Sequence, residues 1–434
     1  MARLLLIAPT CDGEDVGEAW VAYQWAHRLG ERHDITLLTY HKRGKTPAAR
    51  QLPHMRVVEW TEPPLMGRAE RLNSMLKPAY IPFYWRARNW IRQALAAGER
   101  FDLAHQPVPV AMRYPSPVAG LGIPFVIGPV GGGLSSPPGF AADEDTAPWF
   151  MSLRKLDGFR RRRDPLLRRT YSMADCVLGI ADYVREELSD IPLPRFEVMS
   201  ETGLDEIPPP VDRSGRAGPV RLLHVGRLVR TKGARDVIRA MALLKGLPVR
   251  LDIVGDGPER AECERLIENF GLSQRVTLHG WQPKAKVAEF YRRADIFVFP
   301  SYREPGGNVA LEAMGHSLPL IVVDRGGPGS ATDDSCAIRL PVSTPEALAR
   351  DVSEAIRLLC GDPMLRFRMG NAARQHVAKT ALWAAKLDRM DRIYAEVMKG
   401  GLHPAAAPAP ASSAPPAERP DGPVPAQSAL FRQR

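Results

Sequence analysis

The feature that most constrains the fold of this chain is the alternation of short apolar segments with amphipathic helical segments. In the first half the apolar segments are Leu4–Ala8, Ile35–Thr39, Leu103–Gln106, Phe125–Gly128, Cys176–Ile180 and Phe196–Met199. In the second half they are Val220–Val225, Val249–Val254, Val276–Leu278, Ile296–Phe299 and Leu320–Val323. Short apolar runs are typical of strands buried on both faces, and helices between them are typical of crossover connections. The sequence therefore predicts an α/β architecture built on parallel sheets.

A cluster of proline and glycine between Gly203 and Pro219 divides the chain into two halves. It contains three consecutive prolines, which prevent regular structure because proline has no backbone N–H. We predict a first domain at 1–202, a linker at 203–219, a second domain at 220–363, helices at 364–399 that cross back to the first domain, and a disordered Pro/Ala-rich tail at 400–434. Two such sheets predict a ligand cleft at the carboxyl ends of their strands.

The composition narrows the class of protein. No stretch approaches the ~18 consecutive apolar residues of a transmembrane helix, and the run LLLIA near the start is too short for a signal peptide, so we predict a cytoplasmic protein. Five cysteines without any Cys-x-x-Cys pair predict neither a disulfide framework nor a zinc site. The formal charge of +10 fits either plain surface charge or an anionic partner such as a sugar nucleotide, a lipid phosphate or an anionic membrane. Because no nucleic-acid motif accompanies it, we predict no nucleic-acid binding.

The segment His224–Gly233, HVGRLVRTKG, brings two cations to the end of a predicted strand. Gly226 and Arg227 follow the strand, and Lys232 precedes the next helix. Free amides and the dipole at a helix N-terminus favour an anion, and neighbouring Arg and Lys side chains match a diphosphate. Taken alone, the segment is also consistent with a glycine turn flanked by solvated cations.

The segment Phe299–Met314, FPSYREPGGNVALEAM, is the most informative one. A buried strand runs into a loop with Glu304 and two glycines, and then into a helix that carries Glu312. Two carboxylates at this spacing match hydroxyl groups at opposite ends of one extended ligand. The glycines allow backbone amides to approach a phosphate or a sugar closely.

Together these segments resemble the second domain of retaining glycosyltransferases of family 4, which have the GT-B fold of two Rossmann-like halves. The matching motifs are Arg227 with Lys232, GDGPE at 255–259, and Glu304 to Glu312 followed by Ala-Met. The resemblance implies hexosyl transfer from a nucleotide-diphosphate sugar to an acceptor hydroxyl, with retention of configuration and without a metal or other cofactor. Family members more often have a phenylalanine and one glycine after the proline. The loop here is PGGN, as in some relatives of exopolysaccharide type.

The resemblance also implies roles for individual residues. Arg227 and Lys232 would bind the diphosphate, and Glu312 the ribose hydroxyls. Glu304 and the amides around Gly306–Val309 would hold the transferred sugar. The predicted donor-binding residues are Gly226, Gly306, Gly307, Asn308, Val309 and Glu312, together with Trp281, which ends a strand in the segment HGW.

The first domain matches the family more loosely. The loop Asp12–Glu18 stands where the family's first glycine-rich loop approaches donor phosphate and acceptor, and it offers Gly13 and Gly17. The segment Ile123–Gly133 is a strand followed by a glycine-rich loop, from which Gly131 and Gly132 are predicted to bind the acceptor. His105 ends a strand where the family often has a histidine near the reacting sugar, so it is a candidate catalytic residue beside Arg227, Lys232 and Glu304. A lone histidine is also often structural.

A basic segment lies between Arg154 and Arg169, with leucine and phenylalanine interleaved and Trp149 and Phe150 just before it. Such a surface can rest on anionic lipid, which would place the protein at the inner face of the membrane. The same side chains also fit a solvated helix face packed on its own domain. Both interpretations are open.

Two alternatives from other classes also fit parts of the sequence. A nicotinamide-dependent oxidoreductase would use the Gly128–Gly133 loop, but that loop continues into LSSPPGF and not directly into the helix that a dinucleotide fingerprint requires. A catalytically silent binding protein of the same fold would not need Arg227, Lys232, Glu304 and Glu312 together. The acceptor is open between a glycan, a lipid-linked glycan and a small natural product.

Overall fold

The structure, a computed structural model, describes residues 1–63, 77–140, 155–213 and 216–400. These residues form two compact units. The described part of the first unit consists of residues 1–63, 77–133, 155–202 and 386–400, and that of the second of residues 134–140, 203–213 and 216–385. Trp149, Phe150 and Arg154 of the basic segment, and the Pro/Ala-rich tail from 401 onward, lie outside the described residues.

Within its described part, the first unit is built on a seven-stranded parallel sheet in the order β3-β2-β1-β4-β5-β6-β7. Its strands are β1 Arg3–Thr10, β2 Asp34–His41, β3 Arg56–Thr61, β4 Leu103–Gln106, β5 Phe125–Val130, β6 Cys176–Gly179 and β7 Phe196–Val198. Its helices are α1 Glu18–Gly30, α2 Ala48–Gln51, α3 Tyr80–Ala96, α4 Lys155–Arg163, α5 Pro165–Met173 and α6 Tyr183–Glu187. The central strands are buried along their length, as continuous apolar runs require.

The described second unit contains a six-stranded parallel sheet in the order β10-β9-β8-β11-β12-β13. Its strands are β8 Val220–Val225, β9 Val249–Val254, β10 Val276–Leu278, β11 Ile296–Phe299, β12 Leu320–Val323 and β13 Ala337–Leu340. Its helices are α7 Ala234–Leu243, α8 Arg260–Asn269, α9 Lys284–Arg293, α10 Asn308–Gly315, α11 Gly326–Ser330, α12 Pro345–Gly361 and α13 Pro363–Thr380, and α14 Trp383–Gly400 leads back to the first unit. The predicted fold, two parallel-sheet Rossmann-like domains, is confirmed.

Two strands were not predicted from the sequence, for the same reason. The strand β3 lies at the edge of its sheet with half-buried side chains, and β13 is an edge strand interrupted by Arg339. Neither is a continuous apolar run, because β3 contains Glu59 and β13 contains Arg339. Periodicity alone therefore does not mark either strand.

The chain also crosses between the units differently from the prediction. Residues 134–140, predicted in the first domain, pack within the second unit. The predicted linker is bound to the second unit, where Arg213 donates to the carbonyl oxygens of Ala294 and His316 at 2.7 and 3.1 Å. The predicted last helical stretch is broken after Thr380, where Trp383 N–H donates to the carbonyl of Leu204 at 3.0 Å.

Candidate active site

The site of the second unit lies where the strand order reverses. The central strand β8 has β9 on one side and β11 on the other, and chains leaving β8 and β11 move in opposite directions. The loops after these two strands open at one edge of the sheet, which is where ligands bind in open α/β sheets. Arg227 and Lys232 follow β8, and Glu304 follows β11.

The glycines of the GDG segment shape the loop that carries Arg227. Gly226 N–H donates to Val254 O at 3.0 Å, and Leu228 N–H donates to Asp256 O at 2.9 Å, so the two loops are joined backbone to backbone. A Cβ at Gly255 would lie 2.0 Å from Gly226 O, and Gly255 has a φ of 137°. Only glycine at position 255 allows the two backbones to come this close. The close contact fixes the loop that carries Arg227, whose side chain is exposed.

Lys232 and Glu304 meet across the reversal point as an ion pair. Their side chains are only 21 and 15% exposed. Burial, with Arg227 nearby, lowers the pKa of Lys232 to about 8. A pair of cations held beside one half-buried carboxylate is suited to an anionic ligand that also carries hydroxyl groups.

The N-terminus of α10 adds amide donors to the same place. Gly307 takes the left-handed conformation directly before the helix, with a φ of 81°, and its N–H donates to Glu304 Oε1 at 3.2 Å. Gly306, Asn308 and Val309 surround it, and N–H groups in the first turn of a helix point beyond its N-terminus. Glu304 is thus fixed by Lys232 on one side and by the start of α10 on the other.

Glu312 lies inside α10, on its partly buried face. The buried Tyr291 hydroxyl donates to Glu312 Oε2 at 3.1 Å. Burial raises the pKa of Glu312, and the Tyr291 hydrogen bond and Lys284 partly offset this effect. The carboxylate is therefore oriented by a fixed donor before any ligand arrives.

A third loop at this edge was not predicted from the sequence. Gly327 N–H donates to Glu304 O at 2.8 Å, and a Cβ at Gly327 would lie 2.0 Å from Gly306 O. The segment RGGPG after β12 therefore packs against the backbone of the Glu304 loop and holds it in place. Its run of glycines directly after a strand was the available signal, because it repeats the pattern of the two loops that were predicted.

Arg230 also belongs to this site and was not predicted from the sequence. It lies in the short 3₁₀ turn Arg230–Lys232, is almost fully buried, and binds Asp236 through two hydrogen bonds of 2.6 and 3.1 Å. Its guanidinium lies 5.3 Å from the ring of Phe140 and 5.5 Å from the ring of Tyr302. Since Lys232 and Glu304 each stand two residues from this cluster, it fixes the backbone on both sides of their ion pair.

Trp281, a predicted donor-binding residue, is 74% exposed in the second unit. The preceding Gly280 accepts a hydrogen bond from Gly255 N–H at 2.9 Å, which joins this turn to the GDG loop. Trp281 therefore lies one loop away from Arg227. It forms no ring contact within the described residues.

Known proteins match both units. Residues 16–199 match a family model described as a glycosyl transferase 4-like domain, and residues 213–376 match one described as glycosyl transferases group 1. The alpha-D-kanosaminyltransferase of Streptomyces kanamyceticus is 31% identical over 57% of this chain and 68% of its own length. This chain belongs to the family 4 glycosyltransferases.

The match to another relative of this glycosyltransferase covers a smaller share of both chains. A lipopolysaccharide core biosynthesis glycosyltransferase of Rhizobium meliloti, LpsD, is 35% identical over 42% of this chain and 54% of its own length. The chain thus spans about half the length of that relative.

Solved structures agree on the fold of the glycosyltransferase. Sucrose-phosphate synthase from Thermosynechococcus elongatus has a TM-score of 0.61 at 20% identity, over 92% of this chain and 100% of that one. HepE of Anabaena, solved in complex with UDP, has a TM-score of 0.60 at 17% identity, over 91 and 100%. At these identities the likeness shows the GT-B fold.

In the first unit of the glycosyltransferase, the loop after β1 is closed by side chains. Asp12 is buried and accepts from Gln51 Nε2 at 2.9 Å, and Gly13 N–H donates to Gln51 Oε1 at 2.7 Å. Gly17 precedes α1 with a φ of 68° and with open space around it. The amide of Gly13 is therefore already used within the protein, whereas Gly17 provides the bend that starts α1.

The predicted acceptor loop at Gly131 and Gly132 is also bonded internally. Gly131 N–H donates to Val110 O at 2.6 Å, and Gly132 N–H donates to the Tyr183 hydroxyl at 3.0 Å. A Cβ at Gly131 would lie 2.1 Å from the Ile180 side chain. Gly131 thus serves close packing, and the amides of both glycines are already bonded within the unit.

His105 requires a correction. It has no exposed surface, its Nε2 lies 2.6 Å from Gly128 O, and the Tyr394 hydroxyl lies 2.6 Å from its Nδ1. Burial lowers its pKa to about 4, so the ring is neutral, with Nε2–H donating and Nδ1 accepting. A ring with both nitrogens bonded in the core does not contact a reacting sugar. Its position at a strand end did not reveal that α14 covers it.

The described part of the basic segment forms α4 and α5. Arg161 pairs with Glu187, and Arg168 lies 3.4 Å from Asp190, so these two cations are bound to their own unit. Arg162 and Arg163 are exposed, while Leu167 is fully buried. Arg161 and Arg168 thus fit a helix face packed on its own unit, whereas Arg162 and Arg163 face solvent. In the described residues, no helix is long and apolar enough to cross a membrane.

Proposed function

We propose that this glycosyltransferase transfers a hexose from a nucleotide-diphosphate sugar to an acceptor hydroxyl, with retention of anomeric configuration and without a metal. The observation that carries the proposal is the convergence of Lys232, Glu304 and the N-terminus of α10 at the strand reversal. Two cations and the positive end of a helix suit a diphosphate, and a fixed carboxylate beside them suits a sugar hydroxyl.

In this proposal Arg227 and Lys232 bind the diphosphate. Arg227 is exposed and forms no ion pair within the described residues, so its guanidinium is available for a phosphate. Glu304 and the amides of Gly306–Val309 hold the sugar, and Glu312, oriented by Tyr291, accepts from the ribose hydroxyls. HepE, which shares the fold, was solved in complex with UDP, and this supports a nucleotide-diphosphate sugar as the donor.

The proposed reaction forms one bond and breaks one bond at the anomeric carbon. The acceptor oxygen attacks from the face that the diphosphate leaves, and the leaving diphosphate oxygen takes the acceptor proton. Negative charge grows on the diphosphate as its bond to carbon breaks. Arg227 and Lys232 stabilise this charge more strongly in the transition state than in the ground state, which is what accelerates the step.

The acceptor is proposed to be a glycan or lipid-linked glycan of a surface polysaccharide. Support comes from the matches to the lipopolysaccharide core glycosyltransferases LpsD and LpsE of Rhizobium meliloti. The match to the kanosaminyltransferase favours a small natural product as the second candidate. We further propose a cytoplasmic location with peripheral contact to anionic lipid through α4.

The proposal is tested by transfer from a panel of UDP- and GDP-sugars to a panel of glycan and small-molecule acceptors, with release of the nucleoside diphosphate as the readout. Arg227→Ala and Lys232→Ala should each lower kcat about 10²–10³-fold, equivalent to ~2.7–4 kcal/mol in the barrier. Proton NMR of the product tests retention, and activity after treatment with a chelator tests independence from metals.

The matched controls are Arg250→Ala and Lys245→Ala, which remove exposed cations of the same unit away from the site. Both should turn over like the wild type. Near-normal turnover of Lys232→Ala, or an equal loss in the controls, would contradict the assigned roles. Absence of turnover with the whole panel in the wild type would favour a silent binding protein.

A further inference from the structure

A pocket of about 370 Å³ lies on the first unit, between the edge strand β3 and the helix α3. Its lining consists of aromatic and polar side chains: Trp60, Trp85, Arg86, Asn89, Trp90 and Gln93. The volume is within the ~300–1,000 Å³ of small-molecule sites. No residue of the Lys232–Glu304 site belongs to this lining, because those residues are in the other unit.

Two of the three tryptophan rings of the pocket are packed against neighbouring side chains. Trp60 packs edge-on against Phe83 at 6.1 Å and lies under the guanidinium of Arg86 at 6.0 Å. Arg56 lies 5.5 Å from the ring of Trp90. These contacts fix the planes of two rings, so that little rotamer freedom is lost when a ligand stacks on them.

The pocket also offers hydrogen-bonding groups of both kinds. Asn89 and Gln93 are exposed, lie one turn apart on α3, and have no side-chain hydrogen bond within the described residues. Each amide provides two donors and an acceptor. Trp85, one turn before Asn89, is 51% exposed and so presents an open ring beside these amides.

We propose that this pocket is a carbohydrate-binding site for an oligosaccharide. A pyranose has a face of C–H bonds whose positive edges match the negative face of an indole ring, and a rim of hydroxyls that both donate and accept. Three indoles beside two amides and a guanidinium fit both parts of such a ligand. The site is independent of the proposed sugar transfer and would hold a glycan whether or not that glycan is the acceptor.

The lining favours a glycan over a lipid surface. Membrane-surface helices bury a broad apolar face, whereas two of the six lining side chains of this pocket are amides and one is a guanidinium. Ile81, which is 66% exposed, precedes Trp85 by one turn but lies outside the lining. For this reason lipid vesicles form a second arm of the test.

The test uses the full-length protein on an array of neutral and uronic-acid-containing hexasaccharides. The tightest of them is then titrated by calorimetry against Trp85→Ala and Asn89→Ala. We expect the dissociation constant to rise at least tenfold for Trp85→Ala and at least threefold for Asn89→Ala. Phe270→Ala, which removes a 45% exposed aromatic side chain from the second unit, is the control and should bind within twofold of the wild type.

Two further readouts separate this site from the proposed transfer. Thermal stabilisation by UDP or GDP should be the same in Trp85→Ala as in the wild type, and Lys232→Ala should bind the glycan normally. No binding of any hexasaccharide at millimolar concentration, or equal binding by Trp85→Ala, overturns the proposal. Loss of pelleting with anionic vesicles in Trp85→Ala, without a change in glycan binding, would assign the pocket to a lipid surface.

Discussion

Arg230 binds the carboxylate of Asp236 through two hydrogen bonds of 2.6 and 3.1 Å in the core of the second unit. Asp236 has no exposed surface, and Arg230 is enclosed by the rings of Phe140 and Tyr302. Burial of an ion pair costs hydration that only good geometry offsets, and loss of one partner leaves an uncompensated charge. The pair therefore has a structural function, which is to fix the turn that carries Lys232.

Replacement of Arg230 should destabilise the protein strongly. We expect Arg230→Met to lower the free energy of unfolding by about 3 kcal/mol, the lower end of the range for a broken buried pair, because Arg239 still lies 3.4 Å from Asp236. Urea unfolding measures this loss. Arg293→Met, which removes the exposed pair with Glu289, should cost at most about 0.5 kcal/mol. Equal losses in the two variants would contradict the structural function.

Replacement of Gly255 should disturb the loop of Arg227. A Cβ at this position would lie 2.0 Å from Gly226 O in a backbone conformation that other residues rarely adopt. We expect Gly255→Ala to cost about 1–3 kcal/mol in strain and to weaken stabilisation by nucleoside diphosphates in a thermal-shift assay. Gly361→Ala, where no atom lies within 4 Å of the added Cβ, is the control and should change neither quantity. Unchanged nucleotide binding in Gly255→Ala would refute the proposed role of this loop.

His105 should contribute to unfolding in acid. Its pKa is lowered from 6.5 to about 4 in the folded protein, so the unfolded chain binds a proton between these values while the folded chain does not. Stability must then fall as the pH drops from 6.5 to 4, by up to about 3 kcal/mol for this group. His224 and His316, with pKa values of about 4, add to the same trend.

The variant His105→Gln tests this explanation, since an amide can donate to Gly128 and accept from Tyr394 without titrating. We expect it to lose about 2–3 kcal/mol less stability than the wild type between pH 7 and pH 4.5, measured by urea unfolding. The exposed His54→Gln should keep the wild-type pH dependence. At 25 °C, turnover of folded His105→Gln should stay within a few-fold of the wild type. A loss of 10³-fold would restore His105 as a catalytic residue.

Exposed arginines of α4 should bind anionic lipid if the membrane interpretation holds. We expect the wild type to pellet with anionic vesicles at low salt and to be released as salt screens the attraction. Arg162→Gln with Arg163→Gln should weaken this binding at least tenfold, at about 1 kcal/mol per basic residue. Lys245→Gln with Arg250→Gln removes the same charge from the second unit and should have little effect. Protein that stays in the supernatant at low salt excludes the contact.

Much of the site was predictable because its signals are local. Strands, glycine loops and the residues that follow them are neighbours along the chain, so local patterns suffice to place Arg227, Lys232, Glu304 and Glu312 beside the ends of strands. The contacts of Arg230 could not be predicted in this way, because Phe140 is 90 residues away in sequence and enters the second unit from a segment predicted in the first domain.

The sequence by itself determined the two parallel sheets, the order of the motifs and the loops that carry them, because apolar periodicity and turn residues act over a few neighbours. Only the tertiary structure decided which polar groups remain available. It uses the amides of Gly13, Gly131 and Gly132 internally and encloses His105 under α14, while it leaves Arg227 exposed. The physical reason is that burial and hydrogen bonding depend on segments that meet only after the chain has folded.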